Sequence, residues 1–417
     1  MKSKINFIAY LVLLFAFVSC NNRGNPESQN GGLPKTIHLN LSEASTDSIN
    51  LSFIAKKVEY IPLQTTDSSM LNYFYDFNIT KDYFFIQDEG CVLKYDKNGK
   101  FITSLYKVGR GPGETSTRSF TVDESGELVY VLDNFNGDVK VYDFSGKFIK
   151  NINKPINTSE QRTASIGYFN NNLIVSTAQF PLVKYLYSCF DVTTDSIRNI
   201  YRNYHSYDKS QEKLYPSLIY WIDHSYQIID SSLIIKEWFC DTIYKMNKEF
   251  IMEPRYILDL GNHKLEWEGW RDHGMFNIAA GPPLGYWVQS FIETKSFLLA
   301  VLKSHKEQKL FALFNKRTAS VKILANKNYA PRTNNQVYLK NNLDNIITFP
   351  LISKMNGDLF YYDNCLYSVI EAKDFVAAYQ SASEKTKNST KYLKTMASVF
   401  SAITEFSNPI IMKVYLK

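Results

Sequence analysis

Two stretches of the chain repeat the same pattern of residues. Residues 92–102 read VLKYDKNGKFI and residues 139–149 read VKVYDFSGKFI, so Tyr, Asp, Gly, Lys, Phe and Ile recur at an offset of 47 residues. Each copy contains two β-rich runs joined by a turn, and the Asn-Gly pair of the first copy is a strong hairpin signal. A strand-built repeat of about 40–50 residues is typical of the blades of a β-propeller, whereas helical repeats would show a 3.6-residue period.

Weaker copies of this pattern follow along the chain. They cover residues 188–197, 241–260, 310–318 and 359–370. The aromatic content supports strands as well, because the 29 Tyr and 28 Phe residues pack well on a pleated surface. Together with the two clear copies, these stretches predict an all-β fold, a six-bladed β-propeller that occupies residues 51–417.

The last part of the chain departs from the strand pattern and then returns to it. Apolar residues at three- and four-residue steps predict an amphipathic helix at about 384–404; they are Tyr392, Leu393, Met396, Val399, Phe400 and Ile403. Residues 410–415 again have strand character. We expect this strand to pair with the one near Tyr60 and close the ring, which would remove exposed sheet edges. The alternative is a free terminal strand.

The N-terminus has the features of an export signal. Lys2 and Lys4 precede an almost entirely apolar run, residues 5–18, which is shorter than the roughly 20 residues that span a bilayer. The run ends in Phe-Val-Ser-Cys, which resembles a bacterial lipobox and predicts a signal peptide of residues 1–20 with a lipid on Cys20; an ordinary secretory signal is the alternative. The polar composition that follows predicts a flexible tether over residues 21–50.

A Gly-rich motif and its surroundings resemble a known group of proteins. Residues 109–114 read GRGPGE directly after the first YDKNGKFI hairpin. Four other motifs lie elsewhere in the chain: YIPLQT at residues 60–65, DTIY at 241–244, EPRY at 253–256 and NPII at 408–411. In this combination the chain is similar to the six-bladed β-propeller lipoproteins of Gram-negative bacteria, with folds akin to NHL and TolB-like propellers. The resemblance implies an outer-membrane lipoprotein and implies no reaction.

The residues next to the predicted lipid site bear on which side of the outer membrane the domain faces. Surface-exported lipoproteins of related bacteria often carry acidic residues there, whereas this chain has Asn21, Asn22 and Arg23. We therefore expect the periplasmic face, with the cell surface as the alternative. The net charge of +6 falls to about +4 without Lys2 and Lys4, which is too low to indicate a nucleic-acid partner.

The Gly-rich motif has two interpretations. Three glycines and a proline form a tight turn whose backbone N–H groups could cradle an anion, with Arg110 adding charge. However, the Gly-Lys-Ser/Thr ending of a phosphate-binding P-loop is missing. The alternative is a turn between blades in which Arg110 and Glu114 bond to the backbone.

A long aromatic segment between two blades provides the candidate binding residues. Trp267, Trp270, Tyr286 and Trp287 could form a stacking surface for a sugar or a peptide. The alternative is that these rings plug the channel or pad one blade against the next. A second aromatic segment covers residues 201–221. If both segments project from the same face, they form the best candidate surface on the ring.

No catalytic motif is evident in the sequence. The six histidines show no i, i+4 pair and no G-x-S-x-G elbow is present, so neither a zincin nor an α/β-type hydrolase is supported. Asp88 and Asp133 each follow an apolar strand and could bind calcium or act as an acid and a base, although turn-supporting Asp residues are commoner. The scattered cysteines favour isolated thiols over disulfides. No cofactor is predicted beyond a calcium ion.

Three functions are compatible with these observations. The first is a membrane-anchored, non-enzymatic module that binds a peptide, a glycan or an envelope protein. The second is a propeller-type lyase or lactonase that uses channel carboxylates and calcium. The third is a structural envelope component without a small ligand. The fold alone does not decide among them, and the missing catalytic constellation favours the first.

Overall fold

The structure is a computed structural model. It describes residues 33–46, 49–153, 155, 163–177, 184–202, 225–237, 240–265, 285–304, 308–325, 337–351, 359–385, 401 and 403–417. Within these ranges no helix combines the length and the apolar character that a membrane crossing requires. Residues 35–417 form one compact unit.

The first half of the unit contains two leading strands and three blades. The leading strands are β1 (Lys35–His38) and β2 (Ala55–Pro62). Blade one contains β3 (Asp76–Ile79), β4 (Tyr83–Asp88), β5 (Cys91–Asp96) and β6 (Phe101–Ser104). Blade two contains β7 (Thr117–Asp123), β8 (Leu128–Asp133), β9 (Val139–Asp143) and β10 (Phe148–Ile152). Blade three contains β11 (Thr163–Phe169), β12 (Asn172–Thr177), β13 (Tyr185–Asp191) and β14 (Ser196–Arg202).

The second half contains the other three blades. Blade four contains β15 (Ser225–Ile229), β16 (Ser232–Lys236), β17 (Thr242–Met246) and β18 (Met252–Asp259). Blade five contains β19 (Tyr286–Glu293), β20 (Phe297–Ser304), β21 (Lys309–Asn315) and β22 (Val321–Ala325), and a two-stranded ribbon follows, β23 (Tyr338–Leu339) and β24 (Phe349–Pro350). Blade six contains β25 (Phe360–Tyr362), β26 (Cys365–Ile370), β27 (Ile410–Leu416) and, as its outer strand, β2. The prediction of a six-bladed β-propeller is confirmed.

The two ends of the chain meet in blade six. β27 pairs antiparallel with β2, with Tyr60 opposite Met412, and with β26 on its other side. The predicted closure of the ring by the terminal strand and the strand near Tyr60 is therefore confirmed. Closure pairs both edges of the terminal strand β27, which protects this strand from edge-to-edge association.

The N-terminal boundary of the folded unit lies earlier than expected. β1 pairs in parallel with β18 as a fifth strand of blade four, with Ile37 opposite Leu258, and Ser45 forms a bridge with Leu324. Residues 35–45 therefore belong to the propeller, and the predicted tether of residues 21–50 is wrong over this part. Ile37 is the only buried residue of β1, so the strand is too short and too polar to stand out in the sequence.

The C-terminal helix also begins earlier than expected. Helix α1 spans Ala372–Lys385, twelve residues ahead of the predicted start at about 384. Residues 386–400 of the predicted helix lie outside the described residues. Phe375 in the first turns of α1 is fully buried against the ring of Tyr60, so the helix packs on blade six. Among the described residues, short 3-10 helices lie at Leu41–Glu43, Leu51–Phe53 and Gly261–His263.

The repeated Asp and Gly residues form the turn between the third and fourth strands of a blade. Asp96 Oδ1 accepts hydrogen bonds from the backbone N–H of Asn98 (2.9 Å) and Lys100 (2.8 Å), and Asp143 makes the equivalent bonds in blade two. Gly99 has φ +82°, and a Cβ there would lie 2.1 Å from the carbonyl oxygen of Pro62. The repeated residues are therefore those that form this turn, and the sequence correctly predicts a hairpin there.

The antiparallel order of the strands gives the ring two different faces. Turns between first and second strands, and between third and fourth strands, open onto one face, which we call the turn face. Connections between second and third strands, and between successive blades, open onto the other face, which we call the linker face. Cys91, Cys189, Cys240 and Cys365 are free thiols.

Candidate functional site

The structure describes two of the four aromatic candidates, Tyr286 and Trp287. Trp267 and Trp270 lie outside the described residues. Trp287 is only 8% exposed and packs in the apolar cluster between blades three and four with Leu233 and Leu265. Tyr286 is half-buried, and its hydroxyl donates to Gln308 Oε1 at 2.6 Å. Trp287 therefore pads blades, which was the alternative interpretation, and does not line an open surface.

The Gly-rich loop is folded around its own carboxylate. Glu114 Oε2 accepts a hydrogen bond from the Gly111 N–H at 2.9 Å. A Cβ at Gly109 would lie 2.1 Å from the same oxygen, so glycine is required for the carboxylate to fit. Tyr142 donates its hydroxyl to the carbonyl of Gly113 at 3.1 Å. The N–H groups of Gly109, Gly111 and Glu114 are thus bonded within the loop, which agrees with the interpretation as a turn between blades.

Arg110 has a different role from that of Glu114. Its guanidinium carbon lies 4.7 Å from the centroid of the Phe135 ring, a cation–π arrangement. Both side chains are exposed. The Arg110 side chain therefore points away from the Gly-rich loop and covers the Phe135 ring in the loop of blade two.

That surface continues over blade one. The Tyr73 and Tyr75 rings lie 5.5 Å apart, and the Tyr73 N–H donates to Asp88 Oδ1 at 2.8 Å. Val108 packs beside Gly90, where a Cβ would lie 3.2 Å from its Cγ2, and Gly90 follows Asp88 by two residues. We call this surface the aromatic strip; its members are Tyr73, Tyr75, Val108, Arg110 and Phe135. All five are exposed.

The two carboxylates expected at the channel support this surface from below. Asp88 is buried, holds the Tyr73 backbone, and has its pKa raised by burial. Asp133 is also buried and accepts hydrogen bonds from Thr115 Oγ1 (3.0 Å) and the Phe135 N–H (3.2 Å). Both therefore act as loop-supporting residues. Across the described ranges, no three His, Cys, Asp or Glu side chains are grouped to hold a metal ion.

The aromatic strip lies on the linker face. Its residues belong to the connections before blade one and between blades one and two, and to the loop between the second and third strands of blade two. The residues that bracket the two aromatic segments found in the sequence, Arg202 with Ser225 and Leu265 with Gly285, stand at the ends of fourth strands and the starts of first strands. The described residues on either side of each segment therefore lie on the linker face.

The comparisons with known proteins agree with this architecture. Residues 34–415 match a family described as a domain of unknown function, DUF4934. The chain belongs to this family. A search of curated protein sequences finds no match.

Solved structures with the same fold are distant in sequence. A Bacteroides fragilis protein, named as an exported protein, is 14% identical with a TM-score of 0.62, over 92% of this chain and 100% of that chain. A DUF4221 member from Bacteroides vulgatus is 11% identical with a TM-score of 0.46, over 87% and 97%. Virginiamycin B lyase from Staphylococcus aureus is 11% identical with a TM-score of 0.39, over 75% and 94%. The last two similarities are too slight to carry an argument.

Proposed function

We propose that this protein is an exported, lipid-anchored binding module without enzymatic activity. Cys20 carries the lipid, which holds the propeller at the outer membrane on its periplasmic side. The linker face binds a peptide, a glycan or another envelope protein. The observation that carries the proposal is the aromatic strip, since exposed aromatic rings on one face of a rigid ring of strands are typical of binding surfaces.

The rigidity of the strip supports binding further. Asp88 and Asp133 fix the backbone at Tyr73 and Phe135, so the rings lose little conformational entropy when a partner covers them. The same two bonds weigh against the lyase or lactonase alternative, because both carboxylates are engaged in supporting loops. Arg110 over Phe135 adds one positive charge, which favours partners that combine an aromatic or sugar face with a negative group.

Removal of two rings tests this function. We expect the double variant Tyr75→Ala/Phe135→Ala to recover its partners from envelope extracts about tenfold less well than the wild type, since each ring contact contributes about 0.5–1.5 kcal/mol. Recovery is measured by quantitative mass spectrometry after affinity capture. Ile251→Ala, which removes an exposed apolar side chain on the turn face, is the matched control. Equal recovery by all three proteins contradicts the proposal, and Trp270→Ala extends the test to the aromatic segment.

A second prediction concerns the anchor. We expect Cys20→Ala to move the protein from the membrane fraction to the soluble periplasmic fraction, because the lipid would have no thiol to join. Immunoblots of fractionated cells measure the change. Ser19→Ala keeps a small residue before the cysteine and should remain membrane-bound. Membrane retention of the Cys20 variant would contradict lipid anchoring while leaving the binding test unaffected.

A further inference from the structure

On the turn face, equivalent turns of different blades carry different side chains at one position, the residue directly after the capping Asp or Asn. In five blades an Asp or Asn caps the turn between the third and fourth strands by accepting the backbone N–H two residues ahead. The residue directly after this cap points back toward the blades or into solvent. These residues are Lys97, Phe144, Val192, Lys248 and Lys316 in blades one to five.

In blade five the lysine at this position is neutralised by the protein itself. Lys316 Nζ donates to Glu293 Oε1 at 2.6 Å and to the Thr294 carbonyl at 2.6 Å. Glu293 is fully buried at the end of β19. The blade therefore supplies both the ammonium group and the carboxylate that balances it.

In blade one the lysine is present and the carboxylate is not. Thr80 and Thr294 are equivalent, because each donates its N–H and its hydroxyl to the carbonyl of the residue three positions ahead. The residue before Thr294 is Glu293, and the residue before Thr80 is Ile79. Lys97 Nζ is buried and, within the part of the chain that the structure describes, has no hydrogen-bond partner.

Aromatic rings surround Lys97 instead. Its Nζ lies 4.3 Å from the centroid of Phe84 and 5.2 Å from that of Tyr362. In blade two the equivalent position holds an apolar side chain. Phe144 occupies it, and its ring centroid lies 4.9 Å from that of Phe85. A lysine in an aromatic slot without an anion is costly, because a buried charge lacks both water and a partner.

Lys97 lines a cleft of about 270 Å³ between blades six and one. Three more lysines and three tyrosines line it as well: Lys56, Lys81, Lys413, Tyr362, Tyr367 and Tyr415. Asp363 is the one acidic residue among the lining residues described. The nearby Glu124 is already engaged, accepting from the Tyr362 hydroxyl and the Lys81 N–H. The cleft therefore carries a clear excess of positive charge.

The two innermost lysines repel each other. Nζ atoms of Lys97 and Lys413 both lie 5.9 Å from the Tyr367 ring centroid. Burial first, and the charge of Lys413 second, lower the pKa of Lys97 to about 8 against the opposing charges of Glu124, Asp82 and Cys365. An anion between the two ammonium groups would relieve this repulsion.

We propose that the cleft binds a small tetrahedral oxyanion, the phosphate or sulfate group of a low-mass ligand, which supplies to Lys97 the negative charge that Glu293 supplies to Lys316 in blade five. Lys97 turns its ammonium group toward the anion, and Lys413 faces it from the other side. A dianion matches the excess of lysines better than a monocarboxylate does. The cleft volume of about 270 Å³ lies slightly below the range of about 300–1,000 Å³ that is usual for ligand sites, so the ligand is small. The site is on the turn face and does not depend on the aromatic strip.

Calorimetric titration with inorganic phosphate, sulfate and acetate at low ionic strength tests the site. We expect the wild type to bind phosphate or sulfate at least tenfold more tightly than acetate, and the tighter of the two identifies the ligand class. Lys97→Met should weaken this binding at least tenfold. Ile79→Glu should weaken it as strongly, because it supplies the carboxylate that blade five already has. Lys248→Met, an exposed lysine at the same turn position, is the control and should bind like the wild type.

A thermal shift measured in parallel keeps the test independent of folding defects. The preferred anion should raise the Tm of the wild type and of Lys248→Met by linkage, but should raise that of Lys97→Met only by the general salt effect. No saturable binding to the wild type, or equal affinity in the wild type and Lys97→Met, overturns the proposal. Neither result bears on partner binding at the linker face.

Discussion

Replacement of Glu293 by alanine should lower the free energy of unfolding by about 3–5 kcal/mol, the usual effect of breaking a buried ion pair. The Glu293 carboxylate is fully buried and accepts two hydrogen bonds from Arg255, each 2.8 Å long, and one from Lys316 at 2.6 Å. The Tyr256 hydroxyl donates a further bond at 2.9 Å. The alanine variant would leave two positive charges facing each other without their common partner. Because Arg255 belongs to blade four and Lys316 to blade five, the loss would loosen one junction of the ring.

The pH dependence of this effect follows from the direction of the pKa shift. Burial raises the pKa of Glu293, but the hydrogen bonds and charges of Arg255 and Lys316 outweigh it, so the net pKa lies below the ordinary 4.5. A carboxyl group with a lowered folded-state pKa stabilises the protein above its unfolded-state pKa, and this stability is lost as the pH falls through the folded-state value. The difference between wild type and Glu293→Ala should therefore be full at neutral pH and shrink in acid.

Urea denaturation followed by tryptophan fluorescence, at pH 7 and at pH 3.5, measures both effects. Glu249→Ala is the control, since Glu249 is exposed in the turn of blade four and surface substitutions usually change stability by less than about 0.5 kcal/mol. Similar midpoints for Glu293→Ala and Glu249→Ala would contradict the assignment of Glu293 as a stabilising centre.

The sequence predicts the parts of the fold that local chemistry determines. The turn with Asp96 and Gly99 recurs because each turn needs an acceptor for two N–H groups and a residue at positive φ, so its motif survives in every clear repeat. The closing strand is predictable because it is strongly apolar. β1 is not predictable from the sequence because its stability comes from parallel pairing with β18. Such a long-range contact produces almost no local sequence pattern.

The candidate site was harder to predict because exposure depends on register. Trp287 and Tyr286 are neighbours in one strand, and a strand turns successive side chains to opposite faces, so only the structure shows which one enters the core. The sequence does not single out Tyr73, which begins an aromatic run that predicts a strand, or Phe135, which is a lone aromatic residue in a loop. Lys97 has a weak signal in the sequence, since the second clear repeat has Phe144 at the equivalent position. Its missing carboxylate becomes visible only when blades one and five are compared in three dimensions.

Removal of residues 410–417 should prevent the protein from folding. β27 lies between β2 and β26 and pairs with both, so its loss would open the ring and expose two edges. The strand buries five apolar side chains almost completely; they are Ile410, Ile411, Met412, Val414 and Leu416. At about 1.5–3 kcal/mol each, their burial contributes about 8–15 kcal/mol, which is comparable to the whole stability of a typical domain.

Removal of the other terminal strand is the matched control, and the contrast tests closure itself. A variant that begins at residue 46 lacks β1, which extends the outer edge of blade four, and it loses three buried apolar side chains, Ile37, Leu39 and Leu41. We expect this variant to fold with a lower Tm, whereas the variant that ends at residue 409 should show no cooperative transition by circular dichroism and should be degraded rapidly by trypsin. The strand that closes the ring is required for folding because every blade depends on its two neighbours. An added edge strand is not required for folding. Equal tolerance of both removals would mean that the ring does not need its closing strand.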